Sequence, residues 1–167
     1  AEIAQIIAAL ERDLDLGSIG IGMGIAYTPG ATEQELLAVF ALAARRRVPV
    51  FAHIAAQQRP GDLRPIEQVL ALVEATGAAL HVVHVNSSGG SAVAEYIALV
   101  EAARARGFDI TTEAYPYTAS STSIESALFD EGWQERMGIG FGDLQWVATG
   151  ERLTAEAFER YRKQGGK

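Results

Sequence analysis

Val48-Pro49-Val50-Phe51-Ala52-His53-Ile54 is a short apolar run, rich in β-branched and aromatic side chains, that opens around a proline. A proline pushes the residue before it out of helical geometry, so Pro49 closes the helix pattern upstream. The run from Val50 to Ile54 then reads as a buried strand. Before it, Thr32 and Glu35 form the capping-box signature of a helix that carries Leu36, Leu37, Val39 and Phe40. After it, the polar loop Gln57 to Asp62 leads to Pro65, which suits a first helical turn. Ile66, Val69, Leu70 and Val73 give the next helix its apolar face, and Gly77 stops it.

The same unit recurs on both sides. Ile3, Ile6, Ile7, Leu10 and Leu14 repeat at helical spacing over residues 2–16, Gly17 ends that helix, and Ser18 to Met23 reads as a glycine-diluted strand. Further on, Leu80 to Val85 is a strand, Asn86 to Gly90 a tight polar loop, and Ser91 the cap of a helix that Gly107 ends. Phe108 to Tyr115 is a further strand. A Ser/Thr-rich loop, Thr118 to Ser123, precedes a short helix near Ile124 to Phe129 and a last helix from Thr154 to Lys163. Met23, His53, His84 and Glu113 thus fall near the downstream ends of successive strands, at intervals of about 30 residues, the length of a βαβ unit. Crossovers of that kind lay successive strands parallel and adjacent.

The expected fold is therefore α/β, with parallel βα units forming part of a TIM-type (β/α)8 barrel; an open doubly wound sheet is the alternative. The organisation expected is a single partial catalytic-barrel domain over 1–167, with four βα units in 1–122 and a helical and loop extension in 123–167. The opening Ala1-Glu2-Ile3 and the closing Gln164-Gly165-Gly166-Lys167 both read as cuts inside a longer sequence.

Composition narrows the function. The chain has 167 residues, 49% of them hydrophobic and 21% charged, which suits a packed globular domain. A net charge of −7 argues against nucleic acid, whose phosphates need a basic surface. No basic amphipathic stretch suggests a membrane surface, and no run approaches the ~20 apolar residues of a spanning helix. The absence of cysteine excludes disulfides and thiolate metal sites and fits a reducing compartment, so a cytoplasmic location is expected.

In βα architectures the downstream strand ends build the site. His53, His84 and Glu113 lie in that layer and carry imidazole and carboxylate groups that zinc accepts, so they are the candidate metal ligands. His81 lies three residues before His84; on a continuous strand the two would face opposite ways, and His81 reads as structural. Asn86 and Ser87 begin a loop at a helix N-terminus, where backbone N–H groups suit an anion, although a plain turn reads as well. Tyr115 could offer a hydroxyl to substrate or pack as an aromatic. The segment Thr118 to Ser123 lacks the Gly-x-Ser-x-Gly elbow of a nucleophile site.

The segments Gly20 to Gly30, Phe51-Ala-His-Ile54, Val82-Val-His84 and Glu113-Ala-Tyr-Pro-Tyr-Thr-Ala119 together resemble the amidohydrolase superfamily, in its branch of N-acyl-D-amino-acid deacylases, or D-aminoacylases. The resemblance runs in matching order to about Thr122. It implies a zinc-bearing βα barrel that hydrolyses an amide with metal-activated water, and it makes the strands here about the third to the sixth. His84 then falls on a strand-five ligand position. The His-x-His pair of the first strand and the aspartate of the eighth are not found in this sequence, and Glu113 or Tyr115 stands where a strand-six histidine would be. At Ala55 the family often carries arginine.

The expected function is that of a segment of a zinc-dependent amidohydrolase acting on C–N amide bonds of N-acyl amino acids, inactive by itself and completed by ligands outside the segment. Small-molecule substrate is the expected partner, with self-association through exposed strand edges. The rival readings are a metal-free α/β module binding an anion or ligand through Asn86 to Ser91, and a barrel hydrolase for cyclic amides.

Overall fold

The computed structural model describes residues 2–166. Helix α1 (Glu2–Asp15) precedes strand β1 (Ile21–Gly24), and helix α2 (Glu33–Arg46) leads to β2 (Val50–His53). Helix α3 (Arg64–Thr76) leads to β3 (Leu80–Val82), and the short α4 (Val85–Gly89) and long α5 (Val93–Ala105) lead to β4 (Ile110–Thr112). Helices α6 (Trp133–Met137) and α7 (Ala155–Gln164) follow.

Local chemistry sets several of these boundaries. The Thr32 side chain accepts the Glu35 backbone N–H at 3.2 Å and starts α2. Pro65 occupies the first turn of α3, where its missing N–H leaves no hydrogen bond unmade. Gly77 ends α3 at φ +71°, a left-handed conformation that glycine adopts without a Cβ clash. Ser91 does not cap the following helix: α5 starts two residues later, behind Ala92 and without a side-chain cap.

The four strands form one parallel sheet in the order β1-β2-β3-β4. Ile21, Val50, Leu80 and Ile110 stand in one register row and are all buried. Gly22, Phe51, His81 and Thr111 make the next row, pointing to the opposite face because side chains alternate along a strand. The helices cover the first face. There Leu36, Phe40, Leu42, Ile66, Val69, Val73 and Tyr96 are buried against the sheet, each large apolar side chain contributing roughly 1.5–3 kcal/mol. Sequential parallel strands with helices over one face are an arc of a βα barrel.

The strands are shorter than the sequence suggests. The third ends at Val82 instead of Val85, and the fourth spans Ile110 to Thr112 instead of Phe108 to Tyr115. The stretch Asn86 to Gly89, read as a loop, is one helical turn. After β4 the chain builds a second, aromatic core. Trp133 stacks on Phe158 at 5.5 Å, Trp146 stacks on Tyr161 at 4.1 Å, and Ile124, Phe129 and Leu153 are buried among them. The expected helix near Ile124 is a single 3-10 turn, Ala127–Phe129. Thr122 reaches back to the Tyr27 hydroxyl at 3.3 Å, which ties this region to the end of β1. Among the described residues no helix is long and apolar enough to cross a membrane.

Candidate metal centre

His53 closes β2, on the sheet face turned away from the helices. His84 follows the end of β3 and takes a left-handed backbone conformation, φ +37° and ψ +58°, as the residue that precedes α4. This bend brings its ring to that of His53: the centroids are 4.5 Å apart and the planes meet at 77°. A non-glycine residue at positive φ is strained, and here the strain coincides with the meeting of two imidazoles.

The pair is chemically unusual. His84 Nδ1 is buried and has no hydrogen-bond partner among the described residues. Burial, and then the neighbouring His84, hold the pKa of His53 down from 6.5 to about 4. His53 is therefore neutral near pH 7, with a free ring lone pair, the form in which imidazole binds a metal. A bound cation would supply the partner that His84 Nδ1 lacks, so the two histidines fit a divalent metal. Among the described residues, no group of three His, Asp or Glu side chains lies close enough to hold one.

Glu113 is accordingly not gathered with His53 and His84. Its carboxylate faces His81, 3.7 Å from Nε2, while His81 Nδ1 lies 2.8 Å from the Thr111 hydroxyl and its ring sits beside Phe51 at 5.4 Å. His81 thus has a polar environment of its own on the same sheet face. The expectation that His81 and His84 point opposite ways does not describe the molecule, because the strand between them stops at Val82.

The Asn86 side chain is engaged with the backbone of Tyr115. It donates to the Tyr115 carbonyl at 3.3 Å and accepts the Tyr115 N–H at 3.4 Å, which holds the segment after β4 against α4. The Tyr115 ring stands 6.3 Å from His84. Ser87 uses its backbone N–H on the His84 carbonyl at 2.9 Å and leaves its side chain exposed. Sequence reading missed Tyr27, whose ring packs edge-on to His53 at 4.7 Å; its place just past the end of β1 was the available signal.

No family model matches the chain. An N-acyl-D-glutamate deacylase of Alcaligenes xylosoxydans xylosoxydans is 33% identical over 119 residues, covering 66% of this chain and 24% of that protein. The crystal structure of an N-acyl-D-glutamate deacylase from Bordetella bronchiseptica, complexed with zinc and a phosphonate that mimics the tetrahedral intermediate, superposes with a TM-score of 0.65. It is 31% identical and covers 74% of this chain and 27% of that one. A D-aminoacylase structure gives a TM-score of 0.62 at 25% identity over the same shares.

The four parallel strands and their covering helices form a segment of a βα barrel like that of the amidohydrolase structures it superposes on. Over this segment the chain is similar to the amidohydrolase superfamily, in its N-acyl-D-amino-acid deacylase branch. It spans about a quarter of the length of the relatives it matches.

Proposed function

We propose that this chain carries part of the metal centre of a zinc-dependent amidohydrolase, and that the whole protein hydrolyses the amide bond of N-acyl amino acids. The observation that carries the reading is the His53–His84 pair, with its buried, unpartnered Nδ1 and its imidazole held neutral. The names of the relatives add N-acyl-D-glutamate as the first substrate to try.

His53 and His84 would hold the ion, and further ligands would come from outside the set found here. When bound, a divalent ion polarises an amide carbonyl and makes water nucleophilic at neutral pH. The chain's own side chains do the rest of the local work. Tyr27 and Tyr115 flank the two imidazoles and shape the approach to them, Asn86 fixes the Tyr115 backbone, and the exposed Ser87 hydroxyl is available to a polar substrate group. Glu113, with a half-exposed carboxylate beside His81, stands apart from this pair. We assign the protein to the cytoplasm, which its cysteine-free composition suits.

The test is metal binding followed by hydrolysis. Cobalt(II) or zinc titrated into the 167-residue chain should bind at one site and be lost in His84→Ala. N-acetyl-D-glutamate should not be turned over by the chain alone, and should be turned over by a protein supplying the remaining strands. Binding of metal that ignores both histidines would sink the metal-centre reading. Turnover of cyclic amides with no turnover of N-acyl amino acids would replace the substrate assignment.

A further inference from the structure

We infer that Gln57 is a positioning residue that sets the spacing of the His53 and His84 rings; the inference rests on the metal-centre reading above. Gln57 lies four residues past His53, in the loop leaving β2, and both ends of its amide are hydrogen-bonded. Nε2 lies 3.0 Å from the Ser88 carbonyl, 3.0 Å from the Gly89 carbonyl and 3.3 Å from the Tyr96 hydroxyl, while Oε1 accepts the Gly61 N–H at 3.2 Å. Two of these partners are carbonyls, which only accept, and one is an N–H, which only donates. The amide orientation is thereby fixed.

Ser88 and Gly89 are the last two residues of α4, the helical turn that His84 opens. Backbone bonds from Ser87 N and Ser88 N to the His84 carbonyl, at 2.9 and 3.1 Å, make that turn and His84 one rigid piece. Gln57 therefore joins the piece carrying His84 to the loop that leaves β2 directly after His53. The loop is anchored in turn: the buried Tyr96 hydroxyl donates to the Asp62 carbonyl at 2.8 Å, and the Asp62 carboxylate accepts the Gln58 N–H and pairs with Arg64. His84 is held in a strained left-handed conformation, and such strain persists where surrounding contacts over-determine it. The two carbonyl bonds from Gln57 are contacts of that kind. No ring nitrogen of either histidine is hydrogen-bonded to Gln57, so it acts through the backbone of α4.

The experiment compares Gln57→Met, which keeps the length and removes the hydrogen bonds, with Tyr96→Phe, which removes only the anchoring hydroxyl. In the metal-free chain, proton NMR should show a nuclear Overhauser effect between the two imidazoles that weakens in Gln57→Met and survives in Tyr96→Phe. Cobalt(II) affinity should fall about tenfold in Gln57→Met, as for loss of a group that orients a metal ligand, with an altered visible spectrum. A merely structural role would lower the melting temperature of both variants and leave the ring contact and affinity of the folded protein unchanged; that result overturns the inference. Should Gln57→Met fail to fold, exchange of the Gln57 side-chain amide protons in the unaltered chain decides. Zinc should slow it, because coupling between the two sites is reciprocal, and an unchanged rate overturns the inference. Loss of metal binding in every protein, with the ring contact still dependent on Gln57, would fail the metal-centre reading alone.

Discussion

The rings of His53 and His84 meet edge to face at 4.5 Å although β3, which should deliver the second of them, has ended at Val82. The meeting depends on one backbone conformation, the left-handed φ of +37° at His84. Ring chemistry and backbone strain at this position can therefore be separated by substitution.

His84→Gly removes the imidazole and suits the left-handed conformation. Stability should stay within about 1 kcal/mol of the original, the relieved strain offsetting the flexibility of glycine. Metal affinity should fall at least about tenfold. Urea unfolding and zinc competition against a chromogenic chelator check the two halves, and a large loss of stability would show that the ring packs for structure.

The pH dependence of the metal-free chain follows from His53. Burial and the neighbouring His84 lower its pKa from 6.5 to about 4 in the folded state. Between those values the unfolded chain holds more protons at this site, so stability falls as pH falls. The contribution is fully present above about pH 6.5, declines through the interval, and is gone below about pH 4. Melting temperatures measured in chelator should show this decline, and His53→Gln should flatten it; equal slopes for the two proteins would refute the assignment.

Asp62 is a buried carboxylate whose charge is satisfied locally. The Arg64 side chain, and then the backbone N–H groups of Arg64 and Gln58, hold its pKa well below the usual carboxylate range. Asp62→Ala should destabilise the fold by about 1–3 kcal/mol through the donors it strands. Glu11→Ala, which breaks an exposed pair with Arg45, should cost no more than about 1 kcal/mol. Denaturant midpoints for the two variants test the contrast.

Strands β1 and β4 stand at the two edges of the sheet, and Leu16 and Ile19 are 87% and 83% exposed ahead of β1. Unpaired edges template further pairing. The 167-residue chain should therefore self-associate as concentration rises, which light scattering coupled to gel filtration would register. A monomer at every concentration, with one sharp unfolding transition, would contradict this.

Much of the fold was legible in the residues. The roughly 30-residue recurrence of strand, loop and helix placed all four strands in order, and Thr32, Pro65 and Gly77 marked helix ends correctly, because caps and breakers act within one turn of chain. The strand ends were not legible. Leu80 to Val85 is the short, valine-rich apolar run of a strand, yet the ladder stops at Val82 and α4 begins three residues later. Whether a residue continues a strand depends on a neighbour to pair with, which is a property of the sheet.

The candidate centre divides in the same way. His53 and His84 were marked by position, since the period places both at downstream strand ends. Glu113 was marked by the same rule, and the structure gives it His81 as its neighbour. By itself the sequence determined the order and parallel alternation of the elements, the residue types available at the strand ends, and the family resemblance, because periodicity and local capping are carried by near neighbours along the chain. Only the tertiary structure decided that two of those residues meet, that Nδ1 of His84 is buried without a partner, and that Gln57 ties α4 to the loop after β2. Those facts depend on a single strained dihedral and on hydrogen bonds between segments about 30 residues apart, and no local pattern in the sequence encodes them.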